Sequence, residues 1–287
     1  GEECNVEAQD VDLCACGCWL NDRLLAFYMA WLQHRCRAPV LCLGPATTFW
    51  IALADVDTLR GGLSRLEMAD KELLILPINN NPYGDRPGGT HWSLLVCHVP
   101  TKTFHSLDSA APMNEECARN VAHKMAQLLR WREGEGEVEV HPVSCPQQKN
   151  GADCGVFVLL YAEVLLQDVA TWGEEVPFPR EIGSLLHTEE ELRDRLRELL
   201  LQEHKRFCEE TVGKVPQTPA KEDEWGRHLS RGVNEREWCV SPVRVSRVHC
   251  MAPALTAVAA TTHTHTCPSH TSQTHTYKSS AVCTGTG

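Results

Sequence analysis

The sequence predicts a fold in which β-strands pack against α-helices. Apolar runs with the length of buried strands lie in the middle of the chain, ELLILPI at 72–78 and THWSLLVCHV at 90–99. A short PTK turn joins the second run to TKTFHSL, which indicates a hairpin or meander. Patterns with helical spacing lie on both sides of these runs. Since 43% of the 287 residues are hydrophobic, the chain can form a real core.

The N-terminal part begins with the polar and then cysteine-rich GEECNVEAQDVDLCACGC, which shows no convincing periodicity. Apolar residues from Leu20 to Leu32 then recur at helical spacing, with Asn21 or Asp22 as the cap. The segment DVDTLRGGLSRLEMAD predicts helical pieces joined at Gly61–Gly62. The loop NNNPYGDRPGG, residues 79–89, has the composition of a mobile turn.

The C-terminal part predicts three more helices and a short strand. A helix is predicted from Asn114 to Trp131, and GEGEVEVHPV then predicts a turn and a strand. A buried helix follows QKNGADCG. The last helix, about Glu189 to Phe207, is acidic in its first turn and basic in its last, as the helix dipole prefers.

Composition excludes several classes of function. The formal net charge of −11, without a basic stripe, argues against nucleic acid and favours a basic protein surface as partner. No apolar segment is long enough to predict a membrane span. An odd count of 15 cysteines without regular spacing suits a reducing compartment, so cytoplasm or nucleus is expected. Because the chain begins with Gly, we expect a fragment or a processed start.

We expect one folded unit with an extension at each end: residues 1–11, a domain at 12–208, and a polar, low-complexity, disordered tail at 209–287. Cys14, Cys16 and Cys18 lack a second ligand pair nearby, so a zinc site is not predicted. The Thr/His tract near the end could hold a metal loosely, but disorder is the expectation. No cofactor is predicted.

The loop QKNGADCG, residues 148–155, carries the strongest chemical signal. Its turn residues precede an apolar helix, with Asp153 as the predicted N-cap and Cys154 in the first turn. The positive end of the helix dipole favours thiolate there, which would make Cys154 a nucleophile. Gln148 could turn its amide N–H towards a developing oxyanion. The alternative for Cys154 is an ordinary buried cysteine, of which such a chain has many.

A general base must come from one of several histidines. His91 follows the glycine-rich loop and opens a strand, so its side chain would be rigid yet near the surface. His98 and His105 are expected to be ordinary strand positions. Asp108 ends the neighbouring strand and could hold the imidazole of His91 by one ring nitrogen. The alternative for Asp108 is turn chemistry at a strand end.

Four motifs together, WLND, GGTHWSLLV, FHSLDS and QKNGADCG, resemble the sentrin/SUMO-specific cysteine protease family over about residues 12–208. The Gly-Gly-Thr before His91 and the short stretch before WLND resemble its deneddylating branch. The resemblance implies a papain-like α+β fold, with a central mixed or antiparallel sheet flanked by helices. It also implies a reaction at the C-terminal glycine of a ubiquitin-like modifier, of Nedd (Rub) type or possibly SUMO, free or conjugated.

By motif match, the resemblance implies a role for each of seven residues. It makes Cys154 the nucleophile, His91 the general base and acid, Asp108 the orienting carboxylate and Gln148, rather than Gln147, the oxyanion donor. It makes three further residues part of the substrate groove: Trp92 would cover the glycine tail, and Trp19 and Asp22 would line the groove. For these last two, a core aromatic and a helix cap are equally weighted alternatives. A monomer without metal is expected.

Three departures from the family pattern, Leu107, Ala152 and the CACGC lead-in, affect the choice of modifier more than the catalytic set. A SUMO-directed protease of the same fold is therefore an alternative. A second alternative is an acyltransferase with the same His, Asp, Cys order that transfers acetyl from coenzyme A, although the HW dipeptide favours the protease. A third is a catalytically silent modifier-binding module. The presence of all four catalytic candidates, Cys154, His91, Asp108 and Gln148, argues against it.

Overall fold

The computed structural model describes residues 4–36, 38–84, 86, 88–131, 138–168, 178–212 and 243–245. Its seven strands are β1 (Cys4–Val6), β2 (Val40–Cys42), β3 (Leu73–Asn79), β4 (Trp92–His98), β5 (Thr103–Leu107), β6 (Val140–Pro142) and β7 (Val243–Val245). Strands β2 to β6 form one mixed sheet in sequence order. The pairs β3–β4 and β4–β5 are antiparallel, while β2–β3 and β5–β6 are parallel. Strand β1 pairs antiparallel with β7.

The described residues also form six α-helices: α1 (Asp22–Arg35), α2 (Pro45–Leu53), α3 (Val56–Leu63), α4 (Glu115–Leu128), α5 (Cys154–Asp168) and α6 (Glu189–Val212). A 3-10 helix at Ala8–Cys14 precedes α1. The predicted helices and strands are present within a few residues of their expected bounds, and the mixed sheet flanked by helices confirms the α+β class. The glycine-led start of the strand predicted at 134–143 lies partly outside the described residues.

The sheet is buried on both faces, which explains why its strands are continuous apolar runs rather than alternating ones. Side chains alternate between the faces with the period of two that a strand imposes. Leu73 and Ile75 of β3 join a core with α1, α5 and α6, whereas Leu74 and Leu76 join a second core with α2, α3 and α4. Each helix layer therefore fixes one face of the strands that carry the site.

Helix α3 corrects one prediction, because it runs unbroken through Gly61 and Gly62. The glycines do not separate two helical pieces. At Gly62 a Cβ would lie 2.2 Å from the ring of Trp50. Glycine is used there for the close approach of α2, at the usual cost in helix propensity.

The start of α1 distinguishes between the two predicted caps. The Asn21 side chain accepts the N–H of Leu24 at 3.0 Å, so Asn21 is the N-cap, whereas Asp22 is the exposed first residue of the helix. Asp10 is buried and bonds both to Asn21 and to Arg23. The domain boundaries remain predictions, since α6 extends past residue 208 and most of the tail lies outside the described residues.

None of the described helices is both long and apolar enough to cross a bilayer. Helix α5 is apolar because it is enclosed by the sheet and by α1 and α6. Its one buried carboxylate, Glu163, accepts hydrogen bonds from the hydroxyl of Tyr28 and the guanidinium of Arg195. Both bonds are made to Oε1, whereas Oε2 is buried without a hydrogen-bond partner among the described residues, so burial of this carboxylate is only partly compensated.

Candidate active site

Cys154 is the first residue of α5, and its side chain is buried. The carbonyl of Asp153 accepts the N–H of Phe157 at 2.9 Å, which places Asp153 at the predicted N-cap position. Its carboxylate, however, accepts from Arg193 and Asn150. The sulfur thus lies in the helix's first turn, where backbone N–H groups have no partner within the helix.

His91 and Asp108 meet at one edge of the sheet. His91 directly precedes β4 and Asp108 directly follows β5, and these antiparallel strands pair Leu94 with Leu107. The His91 Nε2 and Asp108 Oδ1 atoms are 2.6 Å apart, and both side chains are buried. The contact predicted between these two residues is present. Because Nε2 is bonded to the carboxylate, Nδ1 is the ring nitrogen left for the sulfur of Cys154.

The electrostatics of His91 favour its protonated form. Burial disfavours the imidazolium, but hydrogen bonds to Asp108 and Cys154 outweigh burial and raise the pKa of His91 from 6.5 to about 9. Burial alone would also raise the pKa of Asp108. Hydrogen bonds from His91 and from the backbone N–H groups of Ala110 and Asn114 instead hold that pKa below its ordinary value. The imidazole is thus a proton donor at neutral pH.

Asparagine side chains fix the backbone of His91. The Asn80 Oδ1 atom accepts the N–H of His91 at 3.1 Å and that of Thr90 at 2.7 Å. The Asn79 amide donates to the His91 carbonyl at 3.3 Å. Gly89 has a φ of +83° and packs on Asn79, so a side chain there would clash. These contacts were not predicted from the sequence, although asparagines commonly bond to nearby backbone groups.

The two glutamines before Cys154 differ in their available donors. The Gln147 amide donates to the carbonyls of Asp108 and Cys145, both at 3.0 Å, which uses both of its N–H groups. The Gln148 amide donates to the Asn150 carbonyl at 2.6 Å, while its oxygen accepts from Ser109. One N–H of Gln148 therefore has no partner among the described residues.

Trp19 and Trp92 lie beside the elements that carry the site, and Asp22 is the first residue of α1. Trp19 is 43% exposed and donates its indole N–H to the Gly151 carbonyl at 2.8 Å. Trp19 is therefore not the core aromatic of the alternative interpretation, and Asp22 is not the helix cap. Trp92 is half-buried and packs against the core at the start of β4. These positions leave the groove-lining interpretation of all three residues as a hypothesis.

Arg193 is part of this region but was not predicted from the sequence. Its guanidinium is buried and bonds to Asp153 at 2.6 Å and to the carbonyls of Leu13, Ala15 and Cys18. The helical pattern around it gave no signal beyond an arginine in α6. Gly155 also brings elements together, because a Cβ there would lie 3.1 Å from Leu20. The segment before α1 is thus packed onto the start of α5.

Within the described ranges, no group of three or more His, Cys, Asp or Glu side chains is arranged to hold a metal ion. Cys14 is buried and its pKa is raised to about 12, chiefly by burial. The Thr/His tract of the tail lies outside the described residues.

Comparison with known proteins identifies the family. A model described as the Ulp1 protease family, C-terminal catalytic domain, matches residues 56–190. The NEDD8-specific protease 1 of Arabidopsis thaliana is 31% identical over 217 residues, which cover 74% of this chain and 94% of that protein. The chain belongs to the Ulp1 protease family. It is a cysteine-type peptidase, which confirms the resemblance found in the sequence.

Other members of the Ulp1 family are also similar. Human sentrin-specific protease 8 is 34% identical over 164 residues, which cover 55% of this chain and 76% of that protein. The solved Ulp1 protease domain in complex with Smt3, the yeast ortholog of SUMO, is 20% identical with a TM-score of 0.51 and covers 68% of this chain and 81% of that one. At this identity the structure supports the fold alone.

Proposed function

We propose that this Ulp1-family protein cleaves the bond after the C-terminal glycine pair of a ubiquitin-like modifier of the NEDD8 type. The observation that carries the proposal is the buried His91–Asp108 pair, with Nε2 and Oδ1 2.6 Å apart. Asp108 and Cys154, the first residue of α5, both raise the pKa of this imidazole. The 31% and 34% identities to a NEDD8-specific protease and to sentrin-specific protease 8 support the choice of modifier.

In the proposed first step, the Cys154 sulfur attacks the carbonyl carbon of the terminal glycine, forming a C–S bond. The negative charge moves to the carbonyl oxygen, where the available N–H of Gln148 and a backbone N–H of the first turn of α5 can stabilise it. The tetrahedral intermediate then collapses and the C–N bond breaks. The leaving amine takes its proton from His91, which the Asp108 carboxylate keeps oriented.

In the second step, neutral His91 removes a proton from water, which attacks the thioester carbonyl. A C–O bond forms and the C–S bond breaks, which returns the sulfur as thiolate and releases the modifier with a free carboxylate. His91 keeps the proton taken from water for the next cycle, and the second proton of that water is lost to solvent when the new carboxylic acid ionises. No metal is required by this sequence of steps.

The two tryptophans support a narrow groove for the modifier's glycine tail. Trp19 is bonded to the loop before Cys154, and Trp92 is adjacent to His91, so the two rings lie beside the two halves of the site. Only residues without side chains would pass between bulky aromatics. Asp22 follows Trp19 closely in the sequence and is exposed. Its carboxylate could accept hydrogen bonds from the backbone N–H groups of the modifier's extended tail.

The experiment that tests the proposal uses three modifiers, NEDD8, SUMO and ubiquitin, each carrying a thiol-reactive group at its C-terminus. Wild-type protein is expected to form a covalent adduct with the NEDD8 probe, detected as a mass shift on a gel. The Cys154→Ala variant should form none, while Cys145→Ala, a control at a nearby half-buried thiol, should react normally. Adduct formation with SUMO alone would replace NEDD8 by SUMO as the substrate.

We also propose that the loop at residues 79–89 becomes ordered around the bound modifier. Tyr83 is exposed there, with the Arg86 guanidinium 3.6 Å from its ring centre. Limited proteolysis should cut this loop more slowly when the modifier probe is bound. Equal cleavage with and without the probe would contradict this ordering.

Residence in the cytoplasm or nucleus is also proposed. Cys14, Cys97, Cys145 and Cys154 are free thiols, which suits a reducing compartment. We propose a monomer in solution, since the groove is assembled within a single chain. Sedimentation of the purified protein would test this, and a dimer would contradict it.

A further inference from the structure

Asn114 contacts both His91, which carries the proton for the leaving amine, and Asp108, which orients His91. It is 1% exposed and directly precedes α4. Its backbone N–H donates to Asp108 Oδ2 at 3.1 Å, on the oxygen that does not bond to His91. The orientation of the carboxylate is thus set in part by where Asn114 is held.

The two N–H groups of the Asn114 side chain are shared among three acceptors on the other side. Its amide nitrogen is 3.0 Å from the Ile78 carbonyl, 3.1 Å from Ser93 Oγ and 3.4 Å from the His91 carbonyl. The end of β3, the segment that carries His91, and the start of β4 therefore converge on one carboxamide. Its oxygen, Oδ1, is buried without a partner among the described residues.

Capping of α4 does not account for this side chain. Asn114 occupies the N-cap position, but its side chain makes no cap hydrogen bond. An asparagine at a helix start normally accepts a backbone N–H with its oxygen. Here the nitrogen is used and the oxygen is not, at the cost of a buried unsatisfied acceptor. The side chain is oriented for the three acceptors at His91.

We propose that Asn114 is a positioning residue that holds His91 and Asp108 in register. Its backbone fixes the carboxylate, and its side chain fixes the backbone of the histidine. This role rests on the proposed function. The 2.6 Å contact between imidazole and carboxylate depends on the relative placement of two loops, and Asn114 is bonded to both. A shift of the imidazole would misalign its other nitrogen with the sulfur of Cys154.

The test compares Asn114→Ser and Asn114→Ala with wild type in the full-length chain. Serine is a favourable N-cap and keeps the backbone N–H, but its hydroxyl is too short to reach all three acceptors. Asn120→Ala is the matched control, because Asn120 is an exposed asparagine of the same helix that bonds only to the Ala52 carbonyl among the described residues. The substrate is NEDD8 with a C-terminal aminomethylcoumarin amide.

We expect kcat to fall about 10- to 100-fold in both Asn114 variants, as misplacement of reacting groups does, with KM changed less than about 2-fold. The alkaline limb of the kcat profile should also move to lower pH, because a loosened carboxylate supports the imidazolium less well. Asn120→Ala should match wild type in all three quantities. A purely structural role would leave the alkaline limb unmoved.

The outcomes separate this role from the proposed function. Wild type that does not cleave NEDD8 amide, and does not label with any modifier probe, overturns both. Active wild type with a folded Asn114→Ser variant of unchanged kcat and pH profile overturns the positioning role alone. If Asn114→Ala fails to fold, Asn114→Ser decides, since it preserves the helix start. Loss of kcat only in proportion to lost folded protein also overturns the role.

Discussion

At the scale of single residues, burial lowers the pKa of His91, whereas Asp108 and Cys154 raise it by more. Its pKa is raised to about 9, so the imidazolium persists through neutral pH and is lost only as pH rises through that value. The leaving amine needs this proton. We therefore predict that kcat/KM for a NEDD8 C-terminal amide falls as pH increases through about 9.

Of the two groups that raise the pKa of His91 against the effect of burial, Asp108 has the larger effect and Cys154 the smaller. In Asp108→Asn we predict that the alkaline limb moves to lower pH and that kcat falls roughly 100-fold or more, as expected for impaired acid–base catalysis. The same pH series measures both effects. An unmoved limb in Asp108→Asn would show that the carboxylate does not control the proton on His91.

A third prediction at this scale separates the two glutamines. Gln148→Ala should lower kcat by about 100- to 1000-fold, the effect of losing an oxyanion donor. Gln147→Ala should have a much smaller effect, because both N–H groups of Gln147 are already bonded to backbone carbonyls. Steady-state kinetics with the same substrate would distinguish them. A larger loss of kcat in Gln147→Ala than in Gln148→Ala would make Gln147 the oxyanion donor instead.

At the scale of elements, the β4–β5 hairpin contains a chain of hydrogen bonds between uncharged groups. His98 Nδ1 bonds to Thr101 at 2.6 Å, Thr101 to Thr103 at 2.8 Å, and Thr103 to His105 Nε2 at 2.9 Å. Burial lowers the pKa of His98. Burial and the neighbouring histidines lower that of His105 to about 3. The hairpin that carries His91 and Asp108 at its ends thus requires neutral imidazoles.

Because this hairpin requires neutral imidazoles, we predict that the free energy of unfolding decreases at acidic pH. In the unfolded chain a histidine titrates near 6.5, above the folded value of about 3 for His105, so the unfolded state binds more protons between these values. The stabilisation is complete above pH 6.5 and is lost as pH falls towards 3. Urea unfolding should show a loss of about 1 to 2 kcal/mol from this group between pH 7 and 5. In His105→Gln, which cannot titrate, this part of the slope should disappear; an unchanged slope would contradict the assignment.

At the scale of the whole molecule, α6 holds the two ends of the site together. Arg193 joins the backbone at residues 13–18, just before Trp19, to Asp153, just before Cys154. Since both charged groups are buried, removal of one leaves the other without compensation. The last helix of the domain is therefore part of the site's framework although it contributes no reacting group.

We predict that Arg193→Met lowers the free energy of unfolding by about 3 to 5 kcal/mol, the usual effect of breaking a buried ion pair. Arg119→Met is the matched control on another helix, because the Arg119–Glu115 pair is exposed and its loss should cost less than about 1 kcal/mol. Urea denaturation of both variants measures the difference. Equal small losses would show that the Arg193 pair contributes little beyond its burial cost.

Strong local patterns made much of this molecule predictable. The apolar runs at 72–78 and 90–99 are strands of a sheet buried on both faces, and the apolar segment after Cys154 is an enclosed helix. Strand β2 was not predicted, because three residues carry no usable periodicity. Gly61 and Gly62 suggested a break in a helix, and this prediction was wrong. The ring of Trp50, which requires glycine at position 62, comes from another helix and cannot be read from the local sequence.

By itself the sequence determined the family, the order of His91, Asp108 and Cys154, and the elements that carry them, because each depends on residues close together in the chain. Tertiary structure alone decided which side chains hold that set in place. The amide of Asn114 reaches a carbonyl 23 residues away, and the guanidinium of Arg193 reaches Asp153 across 40 residues. Such contacts leave no local pattern, because they arise only when separate helices and strands pack against each other.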